Sequence, residues 1–99
     1  MYVIVTATNP LNKSQEVGEI FKKYLESPLP AFVKLLHVFL KPDKDYGSLT
    51  YFIYEVENAR FSDGYNTIAR TMMPFWQIEG YKYSIDKVTD GLAWIQQQG

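Results

Sequence analysis

The order in which apolar segments follow one another constrains this chain most. Residues 2–8, Tyr-Val-Ile-Val-Thr-Ala-Thr, are β-branched and aromatic enough to predict a strand. Asn9-Pro10-Leu11-Asn12 breaks it, and Asn12 with Gln15 forms a capping-box pattern. Val17, Ile20, Phe21, Tyr24 and Leu25 then recur at helical spacing, predicting an amphipathic helix over 13–26. Ser27-Pro28-Leu29-Pro30 ends it, because two closely spaced prolines cannot continue a helix. A second strand is expected over 31–41, a polar turn over 42–47 and a third strand over 48–57. A second helix starts at Ser62 or Asp63 with Phe61, Tyr65, Ile68 and Met72 on one stripe, and Pro74 stops or kinks it within Arg70–Trp76. Tyr81 to Asp86 alternates as a fourth strand, and Thr89 is placed to cap a short tail helix with Leu92, Trp94 and Ile95.

Strand–helix–strand thus occurs twice, which is the βαββαβ order of the ferredoxin-like plait, an α+β fold. Right-handed crossovers put strands one and three at the centre of a four-stranded antiparallel sheet, with both helices on one face. On strand two, simple alternation groups Val33, Leu35, His37 and Phe39 on one face and Leu36, Val38 and Leu40 on the other. Both sets are largely apolar, so the face without helices needs a cover, and a second copy of the chain is the simplest one.

Composition narrows the function classes. Ninety-nine residues fit one domain, taken as 1–99. With 10 basic and 11 acidic side chains, the charge suits neither duplex nucleic acid nor an anionic membrane surface as partner. No cysteine and a single histidine exclude a disulfide framework and thiolate zinc sites, so no metal and no cofactor are expected. Asp43-Lys44-Asp45-Tyr46-Gly47 has Ser48 and Tyr54 where a calcium loop requires glycine and glutamate, and reads as a solvated turn. No phosphate-cradling glycine loop or nucleophile elbow occurs. The N-terminus lacks a signal-peptide pattern and no apolar run spans a bilayer, so the expected location is cytoplasmic.

Met72-Met73-Pro74-Phe75-Trp76-Gln77-Ile78-Glu79-Gly80-Tyr81 runs a helix end directly into a strand. With the element order over 2–88, it makes the chain resemble the dimeric α/β-barrel superfamily. The resemblance implies a homodimer packed sheet to sheet. It leaves the activity open among monooxygenases, isomerising or decarbonylating enzymes and ligand-sensing modules. The haem-degrading branch uses an asparagine near the first strand with a tryptophan and a histidine on the second helix. By that resemblance Asn9 and Trp76 would take two of the roles, but the only histidine is His37 on strand two.

His37 is the one side chain whose ordinary pKa lies near neutrality. A hairpin symmetric about Lys44 puts it opposite Tyr51. It then serves either as a general base or ligand contact in a pocket between sheet and helices, or as a buried, neutral, hydrogen-bonded core residue. Tyr51, Tyr54, Tyr83, Phe75 and Trp76 either line a pocket for a flat apolar ligand or fill the core and a dimer interface. The candidate ligand-binding set is His37, Tyr51, Trp76 and Tyr83. The expected role is a homodimeric binding module for a small apolar or aromatic molecule. The alternatives are a cofactor-independent monooxygenase- or isomerase-like enzyme using His37, and a structural assembly unit without ligand. Gly18, on the flank of the first helix, is expected to admit a close neighbour.

Overall fold

The computed structural model describes residues 1–43 and 47–98. Its elements are β1 (Tyr2–Asn9), α1 (Ser14–Glu26), β2 (Val33–Asp43), β3 (Gly47–Val56), α2 (Phe61–Met72), β4 (Lys82–Val88) and α3 (Gly91–Gln98). Short 3₁₀ turns over Leu11–Lys13, Asn58–Arg60 and Met73–Gln77 precede α1, precede α2 and follow α2. The four strands form one antiparallel sheet in the order β2-β3-β1-β4, giving an α+β architecture with three helices. The expected centre of the 42–47 turn, Lys44 to Tyr46, lies outside the described residues.

One face of the sheet carries the core. Along β1 every second residue is buried, with Val3, Val5 and Ala7 facing the helices. Phe52, Tyr54 and Val56 do the same on β3, and Ile68 and Met72 of α2 close over them. Val17, Ile20, Phe21 and Tyr24 of α1 pack on the same cluster. Gly64 lets α2 lie close to β3, since a Cβ there would stand 2.2 Å from Val56 Cγ1. Pro74 ends α2 as anticipated: the chain tightens into the Met73–Gln77 turn, which buries Phe75. Among the described residues the core is built on this face; Tyr2, Ile4, Thr6 and Thr8 of β1, partly buried, lie on the other.

Local expectations needed correction. Asn12 forms no cap; the chain enters α1 through the 3₁₀ turn with no side-chain bond at the cap. Asp90, not Thr89, caps α3, its Oδ1 accepting from the Leu92 and Ala93 amides at 3.0 and 3.1 Å. Gly18 has nothing within 4 Å of an added Cβ, so it borders open space rather than a neighbour.

The main correction concerns β2. Leu35 pairs with Tyr54 and His37 with Ile53, so Leu36 is an extra residue in a bulge. The bulge changes the phase of the strand. Val33, Leu35 and Val38 pack towards the core, while Lys34, His37 and Phe39 take the open face. His37 therefore faces Ile53 and not Tyr51, which pairs with Phe39.

Candidate functional site

The β2–β3 hairpin is longer than the helix layer above it, and a cavity of about 420 Å³ opens under the first turns of α1. Val17, Gly18 and Phe21 of α1 form one side. Val38 and Leu40 of β2 with Thr50 and Phe52 of β3 form the other, and Phe75 and Tyr81 contribute where the Met73–Gln77 turn meets β4. The missing side chain at Gly18 is part of the opening, because nothing else fills that space.

The segment Asn9–Pro10–Leu11, whose first and last residues line the cavity, is held between two glycines of positive φ. Gly47 has φ +97°, and a Cβ there would meet the Leu11 amide nitrogen at 2.6 Å. Gly80 has φ +85°, and a Cβ there would meet Pro10 Cγ at 2.7 Å. Both positions require the left-handed backbone and the absence of a side chain, so glycine is needed twice over.

The polar groups of the cavity are few and fixed. Asn9 is 3% exposed, and its Nδ2 donates to Pro10 O at 2.8 Å and Ser14 Oγ at 3.4 Å. Neither bond uses Oδ1, which stays an acceptor. Thr50 adds a buried hydroxyl. Among the described lining residues the ionisable ones are Lys41 and Tyr81, and Lys41 lies in the row of Leu49 and Thr8, whose side chains take the open face, so Tyr81 alone presents an ionisable group to the cavity. Burial, and secondarily Tyr83, holds the Tyr81 phenol far above its ordinary value, so at neutral pH it is a hydrogen-bond donor and not a base. The chemistry is that of a largely apolar pocket with the Asn9 amide and the hydroxyl residues Ser14, Ser48, Thr50 and Tyr81 in its lining, suited to binding.

None of the four candidate residues lines this cavity. His37 is exposed on the open face of the sheet and stacks on Phe39, with ring centroids 5.3 Å apart and planes 17° apart. Neither the buried-core reading nor the pocket between sheet and helices fits that position, because the bulge turns the ring to the other side. Tyr51 lies on the same open face. Trp76 is 63% exposed, and its Nε1 donates to the Tyr83 hydroxyl at 2.5 Å. Tyr83 sits on the helix side of β4 beside Tyr81, ring centroids 6.3 Å apart. Asn9 and Trp76 do not meet at the cavity, since Asn9 lines it and Trp76 does not.

Among residues the sequence reading did not single out, Phe21, Thr50, Phe52 and Tyr81 line the site. A polar residue directly before proline at a strand end was the available signal for Asn9, and the two-residue period of β3, which groups Thr50 and Phe52 with Tyr54 and Val56, was the signal for Thr50 and Phe52. Two further hollows flank the fold. One of about 420 Å³ lies between α1 and α2 beside Tyr24, Leu29 and Thr71. Another of about 250 Å³ lies at the start of β2 beside Met1, Ala31, Phe32 and Lys34. Among the described residues no three metal-ligating side chains converge, and no helix is long and apolar enough to cross a membrane.

No protein-family model matches the chain, and no curated protein sequence matches it. The functional reading rests on the geometry of the cavity and the sheet.

Proposed function

We propose that this protein is a homodimeric, ferredoxin-like binding module of the dimeric α/β-barrel type. It takes a small, flat, apolar or aromatic molecule in the cavity under α1. The observation that carries the reading is the cavity itself: apolar walls of about 420 Å³ with the buried Asn9 amide fixed among them. A ligand with one hydroxyl or N–H would donate to Asn9 Oδ1, and its ring would lie among Phe21, Phe52 and Phe75. Two βαβ units and the order β2-β3-β1-β4, which from the other edge reads 4-1-3-2, support the plait. A second copy covers the open face. Its centre is apolar, with Ile4, Ile53, Tyr51 and Phe39, and Lys34, Lys41, Lys82 and Asp86 stand around it, as in protein interfaces. The absence of cysteine fits a reducing, cytoplasmic setting. A catalytic role for His37 draws no support, because its ring lies across the sheet from the cavity.

The test uses 2-naphthol as a flat aromatic probe with one donor. At about tenfold excess over its dissociation constant it should stabilise the fold by about 1.4 kcal/mol, and the melting temperature should rise by several degrees. Gly18→Leu puts a side chain into the opening while improving helix propensity. It should keep or raise stability and remove the probe's effect. An unchanged melting temperature in the parent chain, or an unchanged response in Gly18→Leu, would refute the binding role.

A further inference from the structure

One polar atom of the cavity cannot change what it offers a ligand. The carbonyl oxygen of Pro10 only accepts hydrogen bonds, so the Asn9 group 2.8 Å from it is the Nδ2 donor, and Oδ1 points the other way. Nδ2 also donates to Ser14 Oγ at 3.4 Å. Flipping the amide would set its oxygen against the Pro10 oxygen and lose that bond, so the orientation is fixed. Asn9 is 3% exposed, and no hydrogen bond from a described residue reaches Oδ1. Among the described residues no buried side-chain oxygen or nitrogen lacks a partner, so Oδ1 is not sealed in the core. It opens on free space, and the space that Asn9 lines is the cavity.

We propose, building on the binding role above, that the cavity takes the uncharged, hydrogen-bond-donating form of an aromatic ligand, an alcohol or a carboxamide, and rejects carboxylates and other anions, with Asn9 Oδ1 as the atom that requires the donor.

The strand register collects the polar groups at one end of the cavity. On the helix side of the sheet Ser48 stands opposite Asn9, Thr50 opposite Ala7 and Phe52 opposite Val5, so the lining passes from polar to apolar along the strands. Ser14 joins the polar end through its bond to Asn9. The hydroxyls of Ser14, Ser48 and Thr50 turn either a proton or a lone pair towards a ligand, as the ligand demands. Oδ1 offers lone pairs alone. A head group that donates satisfies it, and one that also accepts satisfies the hydroxyls as well. A head group that only accepts leaves Oδ1 facing another electron-rich atom inside an apolar site, and an unpaired buried acceptor is costly.

Charge acts in the same direction. Among the described residues no cation faces the cavity, because Lys41 takes the open side of the sheet and Tyr81 is an uncharged phenol. An anion seated between Asn9 and the rings of Phe21, Phe52 and Phe75 would give up water without meeting a counter-charge. The same ring with a neutral head loses far less on entering.

Four ligands that share one ring and differ in the head group test this at pH 7 by titration calorimetry. 2-Naphthol and 2-naphthamide carry a donor, 2-methoxynaphthalene has none, and 2-naphthoate is an anion. 2-Methoxynaphthalene should bind about tenfold more weakly than 2-naphthol, from the unpaired acceptor. 2-Naphthoate should bind about a hundredfold or more weakly than 2-naphthamide, from the uncompensated charge. Asn9→Leu removes the acceptor and should abolish the preference for 2-naphthol over 2-methoxynaphthalene. The comparison of the four ligands in the parent chain decides the ligand class even where this variant does not fold. Equal binding of all four, or tighter binding of 2-naphthoate than of 2-naphthamide, overturns the ligand class and leaves the cavity's binding role standing. An undiminished preference for 2-naphthol in folded Asn9→Leu overturns the part given to Asn9. Binding of none of the four overturns the binding role and the ligand class together.

Discussion

The phenol oxygens of Tyr24 on α1 and Tyr54 on β3 lie 2.5 Å apart, joining helix and sheet through a hydrogen bond under the core surface. Burial raises both phenols above their ordinary values, Tyr54 most of all. An unfolded tyrosine ionises near pH 10. Above that pH the unfolded chain loses these protons and the folded chain keeps them, so stability is complete below about pH 10 and falls as pH rises further. Urea unfolding at pH 8 and at pH 10.5 should show that loss, with part of the tyrosinate absorbance appearing only on unfolding. Tyr54→Phe should cost about 1 kcal/mol at neutral pH and shallow the alkaline slope. A slope equal to the parent's would remove Tyr54 from the account.

Gly47→Ala should destabilise the fold by about 2–3 kcal/mol, combining a positive φ with a contact on backbone. Its Cβ meets the Leu11 amide, which has no rotamer by which to yield. Because that push moves the wall containing Asn9, affinity for 2-naphthol should fall even when the variant is measured well below its melting temperature.

The two helices offer a contrast within one substitution type. Gly64→Ala overpacks α2 against Val56 and should cost about 1–3 kcal/mol. Gly18→Ala meets nothing and should stabilise by about 0.5–1 kcal/mol through helix propensity. Chemical denaturation of the two variants side by side would decide; equal effects would show that helix placement is looser than described.

His37→Ala should leave probe binding unchanged, since the ring lies on the face of the sheet away from the cavity. A loss of 2-naphthol binding in this variant would return His37 to the site.

How far the sequence could be read depended on whether a feature was local. Element order and most ends were legible, because proline, periodicity and β-branched runs act within a few residues. Pro74 tightened the chain where its missing donor demanded it. The candidate site was not legible, and one residue explains much of the error. Leu36 is an insertion relative to β3, and nothing in Leu35-Leu36-His37 marks a bulge, since all neighbouring residues are compatible with either face. Counting by twos past it groups His37 with Val33 and Leu35, whereas the bulge puts it on the opposite face from them. Gly18 misled differently: glycine on a helix is compatible with a close neighbour or with a void, and only tertiary packing distinguishes the two. The capping aspartate beside Thr89 was a choice between two adequate acceptors.

The corner at Asn9–Pro10–Leu11 has a consequence for how the site comes into being. Its clamps come from opposite ends of the second strand–helix–strand unit, Gly47 where that unit begins and Gly80 just before its last strand, while the clamped segment belongs to the first. Neither unit holds a pocket of its own. The wall of the cavity is complete only with both units in place, which makes the cavity a property of their union.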